Sequence, residues 1–301
     1  VAPEARNGYP SSDMAALSEH ASLLNLRMRG WRGRRVETPY GRVHLLEARG
    51  EGALPTVVLL HGFTAAGAHY GPLLEELRRA ARRVVAPDLP AHGFSDSPVE
   101  LDLGNLYLGL RDALDQSLDG PCVLVGNSLG GAFAVRYALD RPERVLGLAL
   151  LSPGGAPMTA QEMVALKALF NVRSDGDALA FVDRAMVHPG AMRRLYAWGI
   201  RQGFSRPAIR SILAGMSTAD CLRPEDLRAL SMPVRVMWGE EERVLPSSGK
   251  SFFMDNLPPG GRVEVHRGIG HCPHIDDLDH TARTLIRWCR EFTRPPARRH
   301  Q

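Results

Sequence analysis

Residues 122–139 read CVLVGNSLGGAFAVRYAL: a continuous apolar run stops at a glycine, a serine stands at 128, and two glycines open a second apolar run. A short run that is apolar at every position fits a strand buried on both faces, as in parallel sheets covered by helices. The second run is long enough for a helix. The stretch thus commits the chain to strand–turn–helix units, and its neighbours repeat the pattern. "PTVVLLHG", "RVVAPDLP" and "VLGLALLSP" are further buried strands, "GRVHLLEAR" alternates, and "GPLLEELRRAAR" and "LGNLYLGLRDALDQSL" have helical spacing. Alternation of this kind predicts an α/β fold with a mostly parallel central sheet and helices on both faces.

After Gly155 the rhythm breaks. Residues 156–230 contain only helical pieces, among them "TAQEMVALKALF" and "GAMRRLYAWGIRQGF". Strands and helices then resume with "MPVRVMWG", "SSGKSFFMDNL", "GRVEVHRG" and "DHTARTLIRWCREF". The expected organisation is an N-terminal tail and helix over 1–35, an α/β core over 36–155 and 231–293, a helical insertion over 156–230, and a C-terminal tail over 294–301. The first twelve residues read as a loose tail. The helix after them has Ser12 or Asp13 as cap and Gly30 as stop.

Composition narrows the function. At 301 residues and 44% hydrophobic, the chain can build one large domain with a sizeable core. The net charge of +4 comes almost wholly from scattered arginines, since Lys167 and Lys250 are the only lysines. No nucleic-acid partner is expected. Cys122, Cys221, Cys272 and Cys289 show no metal-ligand spacing, and Cys122 and Cys289 lie in apolar stretches as buried thiols; a reducing, cytoplasmic setting is expected. The start "VAPEARNGYPSSDM" lacks a basic region followed by an apolar one, so no signal peptide is expected there, although the absent initiator Met leaves room for a removed presequence. No apolar run approaches a membrane span, so stable membrane insertion is not expected. A homo-oligomer remains open.

A serine between glycines at a strand-to-helix turn, Gly126-Asn127-Ser128-Leu129-Gly130, has the form of a nucleophile elbow, G-x-S-x-G. A hydroxyl attacks only if a base takes its proton, so a histidine and an orienting acid should follow. "GIGHCPHIDD" offers His271, in a glycine-flanked loop after a strand, and His274 as the lesser choice. "VRVMWGEEERVLP" offers three glutamates, with Glu242 first and Glu240 and Glu241 as solvated charges. The other location for an acid, "LLSPGG", has no carboxylate. His61 and His92 sit in structural turns, Asp88 ties its loop, and Trp238 and Trp288 belong to the core. Asn127 and Leu129 are candidates to touch substrate.

These residues carry a resemblance. "HGF" at 61–63, "DLPAHGFSD" at 88–96, "GNSLGG" at 126–131, "WGEEERVLP" at 238–246 and "GHCPH" at 270–274 resemble, in order and spacing, the α/β-hydrolase fold superfamily over roughly residues 36–293. In that family the acid stands three residues after the Gly of the "WG" segment and four before the proline, a register that selects Glu242; most members carry Asp there. The resemblance implies an oxyanion hole from the backbone N–H groups of Phe63 and Leu129. It also implies an all-helical cap inserted after the sixth strand.

Together, motif and resemblance predict a serine hydrolase of small to medium, largely apolar esters. Ser128 is the nucleophile, His271 the base and Glu242 the orienting acid. The small-molecule substrate is attacked with no metal or organic cofactor. The serine argues against epoxide hydrolases and haloalkane dehalogenases, which use a carboxylate at the elbow. "GNSLGG", "LLSPGG" and the cap length also resemble the C–C bond hydrolases of aromatic ring-fission products. Those usually carry a second glycine-rich element after the first "HG" and a Trp soon after the catalytic histidine, where this chain has "FTAAGAHY" and "CPHID". Arg193, Arg194 and Arg201 are candidates to meet a substrate carboxylate. Acyl transfer to an acceptor other than water and non-catalytic ligand binding are the remaining alternatives.

Overall fold

The computed structural model describes residues 14–294, with side chains from residue 20 onward. The expected loose tail, its cap at Ser12 or Asp13 and most of the C-terminal tail lie outside the described residues. Helix α1 (Met14–Met28) is followed by strands β1 (Arg32–Thr38), β2 (Gly41–Arg49) and β3 (Thr56–Leu60). The alternation then runs α2 (Gly71–Ala80), β4 (Arg83–Pro87), α3 (Leu103–Ser117), β5 (Cys122–Asn127), α4 (Leu129–Asp140) and β6 (Val145–Leu151). An all-helical segment follows: α5 (Ala160–Phe170), α6 (Asp175–Ala185), α7 (Arg193–Ser205), α8 (Pro207–Gly215) and α9 (Pro224–Arg228). The sheet resumes with β7 (Val234–Gly239), α10 (Ser248–Asn256), β8 (Arg262–His266), α11 (Pro273–Asp276) and α12 (Leu278–Phe292).

The strands form one sheet in the order β1-β2-β4-β3-β5-β6-β7-β8. β1 with β2 and β2 with β4 pair antiparallel; every other pair is parallel. The apolar runs occupy the centre, where β5 is buried at every position and β3 and β4 at all but their first. The two faces of the sheet carry two apolar cores. One contains Phe133, Tyr137 and Trp238, the other Leu73, Leu77 and Trp288.

Strand β1 corrects the expected organisation: the boundary at 35 falls inside it. Its sequence RGRRVET buries only Val36, so no alternating signal marks it. It is recruited as an edge strand through a tight hairpin onto β2, with Thr38 opposite Gly41. With β1 counted, the helical insertion follows the sixth strand, as expected. Among the described residues, no helix is long and apolar enough to cross a membrane.

Candidate active site

Ser128 stands between the end of β5 and the first turn of α4, with φ 53° and ψ −120°. Non-glycine residues seldom adopt this left-handed backbone, at a cost of about 1–3 kcal/mol, and the surroundings must enforce it. Here Ser128 N donates to Leu151 O (3.1 Å), while Ser128 O accepts from Gly131 N (2.9 Å) and Gly154 N (2.8 Å). The turn also depends on two absent side chains. A Cβ on Gly130 would lie 2.2 Å from Leu60 O, and one on Gly126 2.5 Å from Gly130 O.

Glu242 lies in the turn after β7, and its side chain is 2% exposed. Oε1 accepts from Val244 N (2.8 Å) and Leu245 N (3.0 Å). Oε2 accepts from His271 Nδ1 (2.8 Å), in the loop after β8. Burial alone would raise the Glu242 pKa. The facing imidazole and the two backbone donors outweigh it and hold the carboxyl below its usual range. With Nδ1 donating to Glu242, neutral His271 keeps the lone pair of Nε2 for a proton.

The histidine is tied to the elbow through Asn127. Its Nδ2 donates to Leu151 O (2.8 Å) and to His271 O (3.2 Å). Its Oδ1 accepts from Tyr70 Oη (2.7 Å), which also accepts from Gly62 N (3.4 Å). One buried amide thus joins the serine turn, the histidine loop and the loop after β3. This corrects the expectation that Asn127 touches substrate: its amide is committed to the protein. Ser128, Glu242 and His271 follow the carboxyl ends of β5, β7 and β8, a usual place for sites on open α/β sheets; Glu242 and His271 bond each other, and Asn127 links His271 to the serine turn.

The loop after β3 lies over the serine. A Cβ on Gly62 would be 3.3 Å from Ser128 Cβ, and Thr64 has φ 64°. Neither Phe63 N nor Leu129 N donates to a protein acceptor among the described residues. The Phe63 ring enters an aromatic cluster with Phe170 (5.8 Å between centroids) and Phe204 (6.2 Å), extended by Phe181, so the helical insertion packs directly on this loop. Met163, Leu166 and Phe170 are buried on α5. Ser128 itself is 8% exposed.

The other candidates fall elsewhere. His61 bonds Gly62 O (2.8 Å) and Leu89 N (2.9 Å), and burial pushes its pKa down to about 4. His92 bonds Pro90 O (2.9 Å) and, for the same reason, falls to about 3. His274 stacks on Tyr70 (4.0 Å between centroids) rather than bonding a carboxylate; burial lowers it to about 3. Asp88 ties its loop through Gly67 N (2.7 Å), Phe94 N (3.0 Å) and His44 Nδ1 (2.9 Å). Glu240 faces Arg267, but Glu241 is no solvated charge: its carboxylate accepts from Gly268 N (3.2 Å) and Ile269 N (3.1 Å), bracing the histidine loop. Arg193 and Arg201 pair with Asp183 and Asp175 of α6 (both 2.6 Å); Arg194 is exposed. No group of three His, Cys, Asp or Glu side chains could hold a metal among the described residues. A surface groove of about 550 Å³ lined by Arg32, Glu47, Arg49, Arg78, Arg83 and Asp119 contains no serine, cysteine or histidine.

Tyr70, bonded to Asn127, and Asp276, which accepts from Gly270 N (2.8 Å) and Val187 N (2.6 Å), brace the candidate site, and sequence reasoning missed them. Asn127 and Val187 lie 57 and 89 residues away, and no local spacing signals that.

The model of the alpha/beta hydrolase family matches residues 57–284. The chain is 29% identical over 248 residues to a 2-hydroxymuconate semialdehyde hydrolase of Pseudomonas sp. strain CF600, covering 75% of this chain and 83% of that protein. Among solved structures it is similar to naproxen esterase from Bacillus subtilis, with TM-score 0.77 and 20% identity over 93% of this chain and 99% of that one. It is also similar to the 2-hydroxy-6-oxo-6-phenylhexa-2,4-dienoate hydrolase of Rhodococcus sp. strain RHA1, with TM-score 0.76 and 23% identity over 86% of this chain and 99% of that one.

Proposed function

Because the chain belongs to the alpha/beta hydrolase family, we propose that it is a serine hydrolase of small to medium, largely apolar carboxylic esters. The observation that carries this reading is the buried Glu242–His271 pair, tied through Asn127 to the strained turn bearing Ser128. His271 Nε2 takes the proton of Ser128 Oγ as the oxygen attacks the ester carbonyl carbon. The developing oxyanion accepts hydrogen bonds from Phe63 N and Leu129 N; one such donor is worth about 3–4 kcal/mol in transition-state stabilisation. Collapse breaks the ester C–O bond, and His271 returns the proton to the departing alcohol. Water, deprotonated by His271, then releases the acid from the acyl-enzyme. Throughout, Glu242 keeps Nδ1 protonated and stabilises the imidazolium.

The buried apolar side chains of the helical cap support an apolar acyl or alkyl group. The 29% identity to a 2-hydroxymuconate semialdehyde hydrolase favours a second reading, C–C bond hydrolysis. Such a substrate carries a carboxylate that needs a cation, and Arg193 and Arg201 are already paired.

The test is turnover of p-nitrophenyl esters from acetate to palmitate, beside Ser128→Ala. Turnover in the parent that vanishes in the variant is expected, with the chain-length optimum sizing the acyl pocket. A parent no faster than the variant on every ester sinks the esterase reading and puts C–C hydrolysis first.

A further inference from the structure

The loop carrying His271 is held by the cap as much as by the core. Its five consecutive N–H groups divide accordingly. Gly268 and Ile269 donate to Glu241, within the core. Gly270 donates to Asp276 Oδ2 (2.8 Å). His271 and Cys272 both donate to Ala185 O (2.9 and 3.2 Å), at the last residue of α6. The other oxygen of Asp276 reaches into the cap, where Oδ1 accepts from Val187 N (2.6 Å) and His188 N (2.9 Å). Arg184 Nη1 donates to Arg243 O (3.3 Å), next to Glu242. Residues 184–188 therefore bond to the acid loop and to the base loop together. The seam is tight: a Cβ on Gly270 would lie 3.1 Å from Ala185 O and 3.4 Å from Asp276 Oδ2.

From this geometry, and resting on the serine-hydrolase reading, we infer that Asp276 is a positioning residue that couples the seating of the cap to the competence of His271. With the cap seated, Asp276 and Ala185 O fix the backbone from which the imidazole reaches Glu242. When residues 184–188 lift, the Ala185 bonds to His271 and Cys272 break, and Asp276 loses its two donors from the cap. The imidazole then keeps its bond to Glu242, but its own backbone loses the Ala185 anchor. Ser128 is 8% exposed, and lifting of the cap would widen its approach for a substrate. Admission and proton transfer thus belong to different positions of one segment, and the proton moves only after the cap has closed.

The test compares the parent with Asp276→Asn, Asp276→Ala and Asp276→Glu. The amide of Asn has one acceptor oxygen, so it serves either Gly270 N or the cap pair, not both. Two measurements are made. In amide hydrogen exchange read by mass spectrometry, Asp276→Asn should speed exchange at 185–188 and 270–272 together and leave β5 unchanged. In p-nitrophenyl ester turnover, normalised to the serine titrated by a fluorophosphonate, kcat should fall by about ten- to hundredfold, the scale expected for a misplaced catalytic group, with KM nearly constant. Asp276→Glu should recover part of the loss, and Asp276→Ala should match or exceed it. Exchange that quickens on one side of the seam alone, or a normalised kcat equal to the parent's, overturns the coupling. A parent that turns over no ester and takes up no fluorophosphonate removes the serine-hydrolase reading instead, and the exchange measurement still decides whether Asp276 joins cap and loop.

Discussion

Glu242 stays ionised in a place that excludes water because three donors converge on it: His271 Nδ1, Val244 N and Leu245 N. Its folded pKa is depressed. The stability it contributes is therefore fully present above its unfolded pKa, roughly 4.3, and is lost as pH falls through the lower folded value. Urea midpoints measured from pH 6 down to pH 3 should fall more steeply below roughly 4.3 in the parent than in Glu242→Gln, which has no proton to bind there. The same variant should lose about 10³–10⁴ in turnover, because an amide can hold the imidazole in the wrong tautomer. Equal acid slopes for both proteins would mean that Glu242 is not the linked group. The Glu242–His271 bond was legible in the sequence because glycine or proline punctuates the loop of each residue, and the flanking glycines single out Ser128 in the same way. Asn127 and Glu241 were misread because their partners lie 144 and 27–28 residues away, at His271 and at Gly268 and Ile269. Exposure looks the default for such polar residues until those partners are known.

The elbow is an element whose geometry depends on what is missing. Gly130 lets α4 approach the end of β3 so closely that a methyl group would stand 2.2 Å from Leu60 O and 2.6 Å from His61 O. Both obstacles are backbone, so neither can swing aside. Gly130→Ala should cost about 3 kcal/mol or more, the upper part of the range for overpacking, read as a lowered urea midpoint with an unchanged slope. A loss below about 1 kcal/mol would mean that the helix moves away at little cost. Central strands were readable because their burial is two-sided and therefore wholly apolar. β1 was not, since one buried valine in seven residues leaves no pattern. Only the hairpin and its register against β2 make it a strand.

Across the whole molecule, α1 ties the two layers together. It packs on the turn Gly67–Tyr70, which feeds the loop over the serine, and on α7 of the helical insertion. Leu26 is 4% exposed, and its methyl groups lie 3.5 Å from where a Gly71 side chain would begin. Leu26→Ala should cost about 2–4 kcal/mol through lost burial and the cavity left behind. For a chain of this length that corresponds to a melting temperature lowered by roughly 3–6 °C; a shift of less than about 1 °C would show α1 to be a loose appendage. The helix was visible in the sequence, but its docking was not, because periodicity tells which residues seek cover and not what covers them. The seam at residues 184–188 sets the boundary of any exchange between relatives. Transplanting a foreign insertion at 156–230 would bring new residues at 184–188 against the host's Asp276 and 270–272, and mismatched partners would loosen the loop that carries His271. The unit such an exchange must move is therefore discontinuous in sequence: both sides of that seam belong to it.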